Sequence, residues 1–148
     1  MLTTVRDLLI MKGDALFAVD PTTPIIDAIK LLAEKQIGDL LVLEDGLIAG
    51  ILSERDIVRR IAAENDFHHN TPVNAYMTKR VYTINPSQTI EDCMQMMTEK
   101  RIRHLPVVED EKPIGMISIG DVIKAIISSQ EFTIDQLKKY ISGGGYNQ

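Results

Sequence analysis

The sequence predicts an α/β fold: two β-α-β-β-α units, packed sheet against sheet and related by a pseudo-twofold axis. Three observations predict it. The chain repeats itself at an offset of 65 residues, each copy alternates strand-like and helix-like apolar spacing, and a polar segment separates the copies. With Pro21 placed over Pro86, 14 of 41 positions through Ile61/Ile126 are identical without a gap. They include Asp27/Asp92, Ile37/Ile102, Leu40/Leu105, Val42/Val107, Gly50/Gly115, Ser53/Ser118 and Asp56/Asp121.

Each copy opens with a short apolar run, Leu16 to Val19 or Val81 to Ile84. A helix follows, with Ile25, Ala28, Ile29 and Leu32, or Ile90, Cys93, Met94 and Met97, on one face. In the first copy Thr23 and Pro24 suit the N-cap and first helical positions. Two apolar runs come next, Leu40 to Leu43 and Leu47 to Leu52. Asp45-Gly46 between them favours a tight hairpin, because glycine adopts positive φ at little cost. In the second copy Leu105 to Val108 and Ile114 to Ile119 are joined through Glu111-Lys112-Pro113, which predicts a different turn. A second helix closes each unit, with Ile57, Val58 and Ile61, or Val122, Ile123 and Ile126, facing inward.

Each unit is small for independent stability, so the copies are expected to share one core. The polar stretch from Asn65 to Asn74, with Pro72, reads as the linker. The expected division is residues 1–70 for the first repeat with its N-terminal segment and linker, 71–130 for the second repeat, and 131–148 for a helical tail. Thr133-Ile134-Asp135-Gln136 has capping-box spacing and predicts a short helix that Gly143 to Gly145 would end.

Composition narrows the function classes. The chain is 45% hydrophobic and 25% charged, as soluble globular proteins are. A net charge of −5 offers no general attraction to nucleic acid or to an anionic membrane. One cysteine, Cys93, excludes an internal disulfide and suits a reducing compartment. The N-terminus lacks a secretory pattern and no apolar run reaches spanning length, so a cytoplasmic, soluble protein is expected. No nucleophile–base–orienter set, metal-ligand spacing or Walker-type loop appears, so catalysis and a bound metal are not expected. His68-His69 reads as a solvated loop pair, and Cys93, Met94 and Met97 as core.

Ser53-x-x-Asp56 and Ser118-x-x-Asp121 stand at strand-to-helix turns and have capping-box spacing. By themselves they can be helix caps and nothing more. Lys100-Arg101-x-Arg103-His104 follows a helix end, where cations complement the helix dipole.

The repeat resembles the cystathionine β-synthase (CBS) domain family. The residues that carry the likeness are Ile102 to Val108 with Gly115 to Val122, and Ile37 to Leu43 with Gly50 to Ile57. Tyr76-Met77-Thr78 and Thr83-Ile84-Asn85-Pro86 resemble the family's repeat openings. The resemblance implies a Bateman module with two clefts between paired repeats, which forms a homodimer. It implies an adenosine-containing regulatory ligand (AMP, ADP, ATP, NAD or S-adenosylmethionine) and a separate regulated partner, with no nucleic-acid or membrane partner.

It also implies roles for particular residues. Asp121 and Asp56 would accept hydrogen bonds from both ribose hydroxyls, since a carboxylate offers two acceptors and no competing donor. Ser118 and Ser53, with the free helix-start amides, would face a phosphate. Arg103 would grip phosphate bidentately beside His104, and Thr83 would bond base or phosphate. The first copy has Gly38, Asp39 and Ala18 at those places, with Arg55 nearby as compensation. The fuller site is therefore expected at Asp121 and a weaker one at Asp56. The competing reading is a structural or nucleic-acid-binding dimer using Lys100 to His104 as its contact patch.

Overall fold

In the computed structural model, residues 3–13 and 15–141 are described. Helix α1 (Val5–Lys12) precedes the first unit, which comprises β1 (Ala18–Val19), α2 (Ile25–Lys35), β2 (Asp39–Glu44), β3 (Leu47–Ser53) and α3 (Glu54–Glu64). A 3₁₀ turn (Val73–Ala75) leads to the second unit, comprising α4 (Ile90–Lys100), β4 (His104–Glu109), β5 (Lys112–Ser118) and α5 (Ile119–Lys139). The repeat is kept to the residue: β2 pairs antiparallel with β3 and β4 with β5, and equivalent pairs differ by 65 throughout. Both hairpins carry a bulge at the same place, between Val42 and Leu43 and between Val107 and Val108.

The opening strands are shorter than their apolar runs suggest. β1 is two residues, parallel to β2, and its counterpart is a single parallel bridge from Ile84 to Val107. Four local expectations need correction. Val58 of α3 and Ile123 of α5 do not face inward but are exposed, because the helices turn Ile57 and Val122 to the core and the next residue lies about 100° round. Thr23 does not cap α2: Pro24 is itself extended (φ −59, ψ 137) and occupies the cap position, while Thr23 Oγ1 accepts from Asp20 N. The second hairpin does not turn differently, since Asp110 and Glu111 (φ 52 and 67) repeat the positive-φ pair of Asp45 and Gly46 (φ 54 and 80). Lys112 and Pro113 belong to β5. Thr133 opens no new helix, because α5 runs through it and its hydroxyl donates to Ser129 O within the helix. Gly143 to Gly145 lie outside the described residues.

Burial is divided between two apolar clusters, one for each unit, in place of the single shared core. The first gathers Ile25, Ala28, Leu32, Leu40, Val42, Leu52 and Ile57, and the second Ile84, Ile90, Cys93, Met97, Leu105, Val107, Ile117 and Val122. The sheets meet along β3 and β5.

Packing crosses the boundary expected at residue 70/71. Val5, Leu8 and Leu9 of α1 complete the second unit's cluster, while Val73 and Tyr76 complete the first unit's. The same hydrogen bonds dock both segments. Val5 N donates to Gln88 O and Arg6 N to Pro86 O; Val73 N donates to Thr23 O and Asn74 N to Pro21 O. Each unit is thus finished by the stretch of chain that leads into the other.

Candidate functional site

The two Ser-x-x-Asp turns, alike in sequence, are used differently. Ser53 and Ser118 both cap the helix that follows, accepting from Asp56 N (3.0 Å) and Asp121 N (3.1 Å). Asp121 returns the bond, with its Oδ2 taking Ser118 N at 2.9 Å, so this box is closed. The Asp56 carboxylate makes no such return; Oδ2 accepts instead from Thr78 Oγ1 at 3.2 Å.

Lys12, at the end of α1, lies against Asp121. Its Nζ donates to Asp121 Oδ2 at 2.6 Å and to Met116 O at 2.7 Å. Burial pushes the Asp121 carboxyl up, but hydrogen bonds from Lys12 and Ser118, with the Lys12 charge, hold it below the ordinary aspartate range.

A cleft of about 530 Å³ opens between the units on the Asp56 side. The start of α3 supplies Ser53, Glu54, Arg55, Asp56 and Arg59. The chain leading to the second unit supplies Thr78, Arg80, Val81 and Tyr82, and the start of β4 supplies Arg103 and His104. Gly38 and Asp39 line it from the equivalent place in the first unit, and Ile51 and Ile102 add apolar wall. Five arginines (55, 59, 80, 101 and 103) face three acidic residues there, so the cleft carries surplus positive charge.

Asp39 and His104, equivalent positions of the repeat, form an ion pair across the pseudo-twofold when the imidazole is protonated. Lys35 over Phe17 and Lys100 over Tyr82 are a second equivalent pair, at 5.4 and 5.1 Å from the ring centres.

Of the expected site residues, Ser53, Asp56, Arg55, Arg103 and His104 therefore come together. Ser118, Asp121 and Thr83 do not line this cleft, and Thr83 is exposed outside any strand. The basic pair expected beside Asp121 thus faces Asp56. Asp39 is matched by His104, so it does not stand as a lone charge against an anion. Sequence reasoning missed Thr78, Arg80, Tyr82, Arg59 and Arg101. Arg101, taken for a dipole-complementing surface cation, is the left-handed C-cap of α4 (φ 55) and lines the cleft. The signal for Thr78 was present in Tyr76-Met77-Thr78, but no local pattern says that this segment crosses to Asp56.

Among the described residues no group of His, Cys, Asp and Glu could hold a metal ion, and no helix is long and apolar enough to cross a membrane. His68 pairs with Asp66 in its loop (2.9 Å). Cys93 is fully buried, and burial, with Asp92 nearby, pushes its thiol up to about 11. Thiolate is the reactive form, so a thiol reagent at pH 8 is expected to leave native protein unlabelled and to modify Cys93 only on unfolding. Mass spectrometry of the two samples checks this.

Comparison with known proteins gives this geometry a family. The CBS domain model matches residues 5–63 and 73–128. The chain is 35% identical over 152 aligned positions to the mitochondrial CBS domain-containing protein CBSX3 of Arabidopsis thaliana, covering 96% of this chain and 73% of that protein. A CBS-domain protein structure from Burkholderia ambifaria superposes with a TM-score of 0.81 at 44% identity, covering 86% of this chain and 96% of that one. CBSX2, solved in complex with AMP, superposes at 0.73 with 28% identity, covering 86% and 98%. Two matched repeats, each completed by the segment that precedes the other, make this chain a tandem CBS pair, a member of the CBS-domain family.

Proposed function

We propose that the chain is a regulatory module that binds an adenosine-containing ligand in the cleft at Asp56 and signals its presence to a separate protein. One observation carries the reading: Asp56 is released from the reciprocal cap and shares a cleft with Arg103, His104 and four further arginines contributed by both units. The carboxylate takes the ribose diol, as its two oxygens and lack of a donor suit it to do. Arginines grip phosphate through paired N–H groups, and Ile51, Val81, Ile102 and Tyr82 give the base an apolar wall.

AMP in the related CBSX2 structure supports this ligand class. AMP, ADP and ATP fit the arginine surplus best, with NAD and S-adenosylmethionine the remaining members of the class. A concave site drawing residues from both units suits a small molecule better than a nucleic-acid strand. Binding alters signalling to the extent that the ligand prefers one arrangement of the two units over another. Val58 on α3 and its equivalent Ile123 on α5 are 65% and 45% exposed, and in the homodimer a second copy covers them.

Calorimetry with AMP, ADP, ATP, NAD and S-adenosylmethionine tests the reading. Asp56→Asn is expected to weaken the best ligand about 10- to 100-fold, the worth of a charge-assisted hydrogen bond, with unchanged melting. The 2′-deoxy form of that ligand should lose a similar factor against wild type and little more against Asp56→Asn. Absence of binding by all five ligands sinks the proposal.

A further inference from the structure

The two halves of the molecule offer the same pair of acceptors to different partners. In the first, Thr78 N donates to Ile51 O at 2.8 Å and Thr78 Oγ1 to Asp56 Oδ2 at 3.2 Å. In the second, the equivalent acceptors are Met116 O and Asp121 Oδ2, and the Lys12 ammonium satisfies both, at 2.7 and 2.6 Å. One cation replaces a backbone amide and a hydroxyl. The helix that brings it is well anchored: Leu8 and Leu9 are buried, and Leu9 rests on Gly115, where an added Cβ would lie 2.7 Å from Leu9 Cδ2. Met77 holds the same relation to Gly50, at 2.6 Å. The chain on the Asp56 side is therefore docked through a neutral residue, and that on the Asp121 side through a charged one.

We infer that Lys12 is an internal counter-ion that closes the second half-site. Its ammonium occupies the carboxylate a ligand diol would use, so the module takes one ligand at Asp56, and a second only when the end of α1 withdraws from Asp121. The inference rests on the reading of Asp56 as the diol acceptor. It makes α1 a tethered competitor: a vicinal-diol ligand entering at Asp121 must displace Lys12, and whatever draws α1 away opens that site. The two ends of this contact are 31% and 23% exposed at their side chains, within reach of solvent and hence of an exchanging ligand.

Equilibrium dialysis with AMP, and in parallel with ATP, against wild type, Lys12→Met and Lys12→Met/Asp121→Asn tests it. Methionine keeps the length of the side chain and removes the charge. One equivalent per chain is expected in wild type, two in Lys12→Met and one again in the double variant. Two equivalents in wild type, one in a folded Lys12→Met, or two in the double variant would each overturn the inference while leaving the Asp56 site standing.

If no protein binds either nucleotide, the Asp121 side-chain carboxyl ¹³C signal decides the matter. Lys12 lowers the midpoint of that group, so the signal should titrate at higher pH in Lys12→Met; identical midpoints overturn the plug. The sign for stability follows. The folded value is depressed, so the Asp121 contribution is present above the unfolded aspartate pKa and is lost as pH falls through the lowered folded one.

Discussion

Leu105→Ala is expected to lower the unfolding free energy by about 2–5 kcal/mol, the cost of emptying a packed leucine site. Leu105 is fully buried within the second unit's cluster, and its repeat equivalent Leu40 is fully buried within the first. Leu40→Ala should therefore cost about the same by the same rule. The pair also measures how tightly the units are coupled. Each cluster is completed by a segment that leads into the other unit, so neither half can lose its core without releasing part of its partner's. Urea unfolding followed by circular dichroism, and separately by the near-ultraviolet signal of Tyr76 and Tyr82, should give coincident transitions for both variants. Two separated transitions in either would show that the clusters melt independently and that the crossed docking transmits little.

Gly50→Ala should be the costlier of two equivalent glycine substitutions and should also damage the cleft. A Cβ at Gly50 would lie 2.6 Å from Met77 Sδ and 2.8 Å from the carbonyl oxygen of Thr78, which is backbone and cannot swing away. Overpacking of this kind costs about 1–3 kcal/mol. The strand of chain that must yield holds Thr78 on Ile51 and on Asp56, so relief of the clash moves a wall of the cleft. At Gly115 the closest atoms belong to the tip of the Leu9 side chain, which can change rotamer. Gly115→Ala should accordingly cost less and leave nucleotide binding at Asp56 unchanged. Thermal unfolding and calorimetry on the two variants check both halves of this statement. Equal losses of stability, or equal losses of binding, would contradict it.

Much of the molecule follows from local spacing. The 65-residue offset, the helix faces of α2 and α4 and the Asp45-Gly46 turn depend on residues close in sequence, where periodicity and φ preference are direct physical signals. The serine caps are equally local, since Ser53 and Ser118 each bond a backbone N–H three residues on. The same locality explains the errors. Proline at position 24 looks like a first helical residue until its ψ is known, and Asp110-Glu111 looks unlike Asp45-Gly46 until the bulged register of the hairpin imposes the same turn on both.

By itself, then, the sequence determined that two like α/β units would form, what α2 and α4 would bury, and that the Ser-x-x-Asp turns would stand at strand-to-helix junctions. Which residues meet in the cleft at Asp56 was decided only in three dimensions. Asp121 closes its own capping box and holds Lys12 from 109 positions away, while Asp56 is freed to meet Thr78, with Arg103 and His104 lining the same cleft. The physical reason lies in the crossed docking. Segments outside the gapless 65-residue repeat, residues 3–12 and 71–78, supply the partners of these carboxylates, and their placement depends on burying Val5, Leu9, Val73 and Tyr76 in the opposite unit. A charge at the end of one segment and a hydroxyl in the other make two identical motifs chemically different.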